Sequence, residues 1–149
     1  MRPALASVSL HAATHAAPEQ VWNGLTSNGT VIHHVYRMNV ESNWEVGTTV
    51  TVRHLELDNR LALTGEVLRA DRPRRLSHTL GAPSGQPSLY VTWDLRRGRD
   101  GTFIRLSLDE PDPDARTTEE LEVAWFPILS RLVERLNGSV PLSTTPEDG

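Results

Sequence analysis

The chain has 149 residues, enough for one domain with a substantial core, and a formal net charge of −4. It contains no cysteine, and all fifteen basic residues are arginine. Disulfides, thiol nucleophiles, thiolate metal sites, Schiff-base lysines and phosphate-loop lysines are therefore excluded.

Ser7 to His15 alternates Val8, Leu10 and Ala12 against Ser9, His11 and Ala13, which predicts a strand with one buried face. Pro18 with Glu19 and Gln20 opens a short helix whose apolar side is Val21, Trp22 and Leu25. Ser27-Asn28-Gly29 ends it, and Thr30–Val35 reads as a second short helical turn. Both are brief, so they are expected to be connectors and not a core layer.

From Tyr36 the period changes to two. Strands are expected at Tyr36–Val40, Thr48–Leu55, Leu61–Ala70, Arg75–Leu80, Ser88–Arg96 and Thr102–Asp109, separated by turns at Gly47, Asp58-Asn59, Asp71-Arg72-Pro73 and Arg99-Asp100-Gly101. Strands joined by such short turns pair antiparallel. Pro111–Asp114 is expected to be a linker.

Thr117–Asn137 carries Leu121, Trp125, Ile128, Leu132 and Leu136 at helical spacing, widened by Leu129 and Val133. Thr117 and Glu120 have the form of a capping box, and Gly138 suits the position past the end. Glu119, Glu122, Arg131, Glu134 and Arg135 should face water. Pro127 lies inside the pattern, at a cost of ~3 kcal/mol in a regular helix, so a kink near Val123–Pro127 or two helical pieces is expected. Residues 139–149 are polar and are expected to be a disordered tail beyond one domain at 1–138.

The order implies an α+β helix-grip arrangement. A curved antiparallel sheet of six or seven strands wraps round the long C-terminal helix, with two short helices after the first strand. Such a geometry leaves space between helix and sheet.

Four segments resemble the SRPBCC superfamily: Ala17–Thr26, Trp44-Glu45-Val46-Gly47, Gly65–Leu68 with Pro73–Ser77, and Ala124–Leu129. The most similar branch is the bacterial one that resembles the activator of the heat-shock-protein ATPase. The resemblance runs from Ser7 to Asn137 and implies the helix-grip fold with a deep apolar cavity. Members bind lipids, sterols, polyketides or other hydrophobic molecules; some cyclise polyketides and others bind protein partners. The branch usually has Gly where this chain has Ala124, and the added methyl narrows the gap between helix and sheet.

The inward strand residues include Val50, Val52, Leu63, Val67, Leu80, Val91 and Trp93, with Ile104 and Leu106 beyond them. Leu121, Trp125, Ile128 and Leu129 face them from the helix. This set fits a filled core or the lining of a pocket. His78 shares the inward parity of Leu76 and Leu80, where it could anchor a ligand oxygen. His54 follows Val50 and Val52 on the same parity, although a bulge could turn it outward. Tyr36 and Trp44 stand where the connectors meet the sheet, at the expected cavity mouth. The candidate ligand-binding set is thus Tyr36, Trp44, Val52, His54, Leu63 and His78, together with Leu80, Val91, Trp93, Leu121, Trp125 and Leu129.

No catalytic or metal-ligating set emerges, and no cofactor is expected. His33 and His34 are adjacent and point apart, with no third ligand at helical spacing. Asp109, Glu110, Asp112 and Asp114 are interrupted by prolines and read as a solvated linker. No Gly-x-Ser-x-Gly elbow and no glycine-rich phosphate loop occurs. The clusters Arg72–Arg74–Arg75 and Arg96–Arg97–Arg99 read as solvated turns and not as a nucleic-acid footprint.

The sequence therefore points first to non-catalytic binding of a hydrophobic small molecule between sheet and helix. A protein-interaction module, either a chaperone cofactor or the partner of a regulator, is the alternative, and a cyclase-like enzyme is the third reading. The chain is expected to be cytoplasmic and bacterial, without signal peptide or membrane span, as a monomer or a homodimer paired through an exposed edge strand.

Overall fold

The computed structural model describes residues 6–27, 37–55, 58, 60–83, 87–111 and 117–137. Its strands are β1 (Ala6–Thr14), β2 (Met38–Glu41), β3 (Thr49–His54), β4 (Leu61–Asp71), β5 (Arg75–Gly81), β6 (Pro87–Gly98) and β7 (Gly101–Glu110). Helix α1 is Pro18–Thr26 and helix α2 is Thr118–Leu136. The seven strands form one antiparallel sheet in the order β1-β7-β6-β5-β4-β3-β2. It curls into a half-barrel, and α2 fills the concave side.

Strand alternation sets the two faces as expected. Leu89, Val91, Trp93 and Leu95 of β6 are buried beside Ile104, Leu106 and Leu108 of β7. From α2, Leu121, Trp125, Ile128, Leu129 and Leu132 close onto them. The capping box forms: the Thr117 hydroxyl accepts from the Glu120 amide at 3.1 Å, and the Glu120 carboxylate accepts from the Thr117 amide at 2.8 Å. At the far end the Asn137 side chain accepts from the Thr14 hydroxyl (2.8 Å) and the His15 amide (3.2 Å), which ties α2 to the end of β1.

Four expectations are corrected. First, α2 is one uninterrupted helix with Pro127 inside it, not two pieces. The apolar face is held along its whole length, and that burial outweighs one missing backbone bond. Second, α1 is part of the core and no mere connector: Val21 and Trp22 are almost fully buried, and Leu25 is buried beside them. Arg72, in the β4–β5 turn, holds α1 from outside through Glu19 (3.2 Å) and Asn23 (3.1 Å).

Third, Glu110 belongs to β7 and not to a linker, continuing the strand expected through Asp109. Glu110 follows Leu106 and Leu108 on the inward parity and is buried, whereas Asp109 points out and accepts from the Ser7 hydroxyl at 2.7 Å. Fourth, Arg97 lies in β6 and not in a turn, while Arg75 and Arg96 fall in their strands as the strand ranges expected. The second helical turn at Thr30–Val35, His33, His34, Asp112, Asp114, Gly138 and the polar tail lie outside the described residues.

Candidate functional site

Strand β5 supplies the centre of the site, because its inward parity runs Leu76, His78, Leu80. His78 is 7 % exposed. Its Nδ1 lies 3.0 Å from the carbonyl oxygen of Thr79. A carbonyl only accepts, so Nδ1 carries the proton and Nε2 is left as an acceptor. Among the described residues Nε2 has no hydrogen-bond partner. Burial lowers the pKa of His78 below the ordinary value, and the bond to Thr79 opposes that shift. The ring is therefore neutral at pH 7.

The neighbouring strand fixes this arrangement. At Gly65 the β4 backbone approaches β5 so closely that a Cβ would overlap the Thr79 carbonyl. The Glu66 amide donates to the Thr79 hydroxyl at 3.0 Å, and β4 shifts register between Val67 and Arg69. Bulges of this kind re-aim side chains beside sites.

Trp44 reaches the site from the loop between β2 and β3. Its amide donates to the Ser42 hydroxyl at 3.0 Å, and its φ is 56°. For a bulky residue that conformation costs about 1–3 kcal/mol and persists only when the surroundings impose it. The following turn does so: Thr48 donates to the Glu45 carbonyl at 2.9 Å across Gly47 (φ 89°), and Gly47 donates to Val67 at 2.9 Å. The indole then stands edge-on to His78, with ring centroids 5.8 Å apart.

Together these groups line a cavity of about 40 Å³ between sheet and helices. Val40, Val52, Leu76, Leu80 and Trp93 come from the sheet, and Gly24, Leu25, Trp125 and Ile128 from α1 and α2. No carboxylate or hydroxyl is among the described lining residues of this cavity. The open Nε2 can accept a hydrogen bond. The described residues hold no cluster of three or more groups suited to a metal.

Of the sequence-predicted set, Trp44, Val52, His78, Leu80, Trp93 and Trp125 meet at this cavity. Leu63, Val91, Leu121 and Leu129 pack in the core around it and do not line it. His54 ends β3, half-buried, after the irregularity between Val52 and Arg53, and stands away from the cavity. Tyr36 lies outside the described residues. Gly24, Leu25, Val40, Leu76 and Ile128 line the cavity without belonging to the predicted set. Leu25 and Val40 share the inward parity of their elements, but only the tertiary fold brings α1 and β2 to β5.

The family model described as Activator of Hsp90 ATPase homolog 1-like protein matches residues 15–137. The chain belongs to this family. None of the curated proteins matches it. Among solved structures, ChR145 from Cytophaga hutchinsonii is similar with a TM-score of 0.74 at 20% identity, covering 94% of this chain and 99% of that one. The Aha1 dimer from Colwellia psychrerythraea is similar with a TM-score of 0.71 at 12% identity, covering 91% and 98%. CalU16 from Micromonospora echinospora gives 0.68 at 20% identity, covering 92% and 86%. At these identities the likeness establishes the SRPBCC-type fold that this family member shares with them. No helix among its described residues is long and apolar enough to cross a membrane.

Proposed function

We propose that this family member binds a small hydrophobic molecule bearing one hydrogen-bond donor, seated between β5, β6 and α2. The observation that carries the reading is His78: a buried, neutral imidazole whose Nε2 has no partner among the described residues, in an otherwise apolar cavity. A ligand hydroxyl can donate to this open acceptor, a bond that contributes about 0.5–1.5 kcal/mol net. The cavity as it stands is smaller than the roughly 300–1,000 Å³ of small-molecule pockets. Binding therefore requires a wall to move, and half-buried Trp44 at the rim is the wall assigned here. Native mass spectrometry of protein purified from its own host, followed by extraction, tests this. A stoichiometric apolar compound with a hydroxyl or similar donor is expected; a bare chain would count against it.

A second reading is a protein-interaction module. Two observations favour it: the small cavity volume, and Val123 and Phe126 of α2, which are exposed one helical turn apart. The same experiment separates the two, because this reading predicts a co-purifying polypeptide in place of a small molecule.

A further inference from the structure

The solvent-facing side of the sheet carries a hollow that the cavity reading does not use. Its volume is about 650 Å³, within the range of small-molecule sites. Antiparallel register builds its floor: His11 pairs with Arg105, Arg105 with Asp94, Asp94 with Arg75, and Arg75 with Asp71. One step along, Arg96 pairs with Phe103, the guanidinium lying 5.7 Å from the ring centroid. Arg74 is pinned beside this row, since its carbonyl accepts from the Leu95 amide at 2.7 Å and its amide donates to Asp71 at 2.7 Å. Two arginine clusters that are about twenty residues apart in sequence, and that read separately as solvated turns, thus meet across the sheet together with Arg105.

The charge is lopsided. Five arginines (Arg69, Arg74, Arg75, Arg96 and Arg105) share the hollow with two aspartates, Asp71 and Asp94, leaving a formal +3 on a chain of net −4. Asp94 engages Arg75 at 2.5 Å and Asp71 engages Arg69 at 3.7 Å. Arg74, Arg96 and Arg105 have no carboxylate partner among the described residues; Arg105 has only the Ser9 hydroxyl at 3.5 Å. Guanidinium forks match the planar oxygens of carboxylates and phosphates.

We propose that this hollow binds a small organic polyanion, with two or more phosphate or carboxylate groups set on Arg74, Arg96 and Arg105. A singly charged ligand would leave most of the excess charge unanswered. An extended nucleic acid would meet an otherwise acidic chain. Phe103, 51 % exposed beneath Arg96, gives the organic part of the ligand a face to rest on.

The test uses the full chain at low ionic strength, with pyrophosphate and citrate as probes and acetate as the singly charged control. Calorimetry of the wild type, R74Q/R96Q, R105Q and R131Q is compared. R131Q removes the same charge per site from an exposed arginine of α2. Saturable binding of one probe molecule per chain is expected, weakened about tenfold or more in R74Q/R96Q and R105Q and little changed in R131Q. Binding of pyrophosphate alone would assign a phosphate ligand, and of citrate alone a carboxylate ligand. Absence of saturable binding by either, or equal weakening by R131Q, overturns the proposal. All four sites are exposed, and a failure here leaves the internal cavity reading untouched.

Discussion

The indole of Trp44 stands edge-on to the imidazole of His78, at 5.8 Å between centroids and 66° between planes, and Trp44 holds a φ of 56° to do so. A left-handed backbone at a bulky side chain is unfavourable, whereas glycine adopts it freely. Both Trp44→Gly and Trp44→Ala lose the ring, but only alanine keeps the backbone strain. Trp44→Gly is therefore expected to be the more stable of the two by about 0.5–1 kcal/mol, the reverse of the usual order. Urea denaturation of both variants checks this, and a more stable alanine variant would mean the loop relaxes once the ring is gone.

Stability should depend on pH through His78. Its folded pKa lies below 6.5, the unfolded value, so between those two values the unfolded chain binds more protons. Stability is then complete above pH 6.5 and declines as pH falls toward the folded pKa. Chemical denaturation at pH 7.5 and 5.5 should show this loss in the wild type and a smaller loss in His78→Leu. The other histidines are common to both chains, so the difference isolates His78. An identical loss in both would place the titration elsewhere.

Gly65 is required by the approach of β4 to the Thr79 carbonyl. A methyl there cannot be absorbed by a flexible side chain, because the atom it meets is backbone. Gly65→Ala should destabilise by about 2–4 kcal/mol, as overpacking at a rigid position does. Because Thr79 also holds His78, the imidazole NMR signals of His78 should shift in this variant. An unchanged midpoint and unchanged signals would show that β4 can slide.

Pro127 sits inside a continuous helix where alanine would restore an amide donor. Pro127→Ala is expected to raise stability by about 1–3 kcal/mol, with no change in the apolar face. Thermal unfolding measures it. A destabilised variant would show that the pyrrolidine ring packs against the core strongly enough to offset the lost donor.

Much of this architecture was legible because burial imposes period two or 3.6. The alternation of Leu89, Val91, Trp93 and Leu95 located β6, and the stripe from Leu121 to Leu132 located α2 with its Thr117–Glu120 cap. Of the two outcomes expected at Pro127, the break into two pieces does not occur, because the stability of this helix is tertiary. Glu110 was hidden by its composition, although the parity of Ile104, Leu106 and Leu108 pointed to it. The His78 parity was readable, whereas its Thr79 bond depends on the β4 register shift, and the Trp44 contact depends on a positive φ that no pattern announces. The arginine hollow was invisible for the same reason: it is made by register between strands, and each cluster alone looks like a turn.

The most direct test of the cavity assignment compares two apolar probes of one shape, an alkylphenol and the matching alkylbenzene, by titration against wild type and His78→Leu. A single neutral hydrogen bond contributes about 0.5–1.5 kcal/mol, so the phenol should bind about two- to tenfold more tightly to the wild type. That preference should vanish in His78→Leu while the alkylbenzene affinity is kept. Failure of either probe to bind saturably, or a phenol preference that survives in His78→Leu, would contradict a ligand site built on His78.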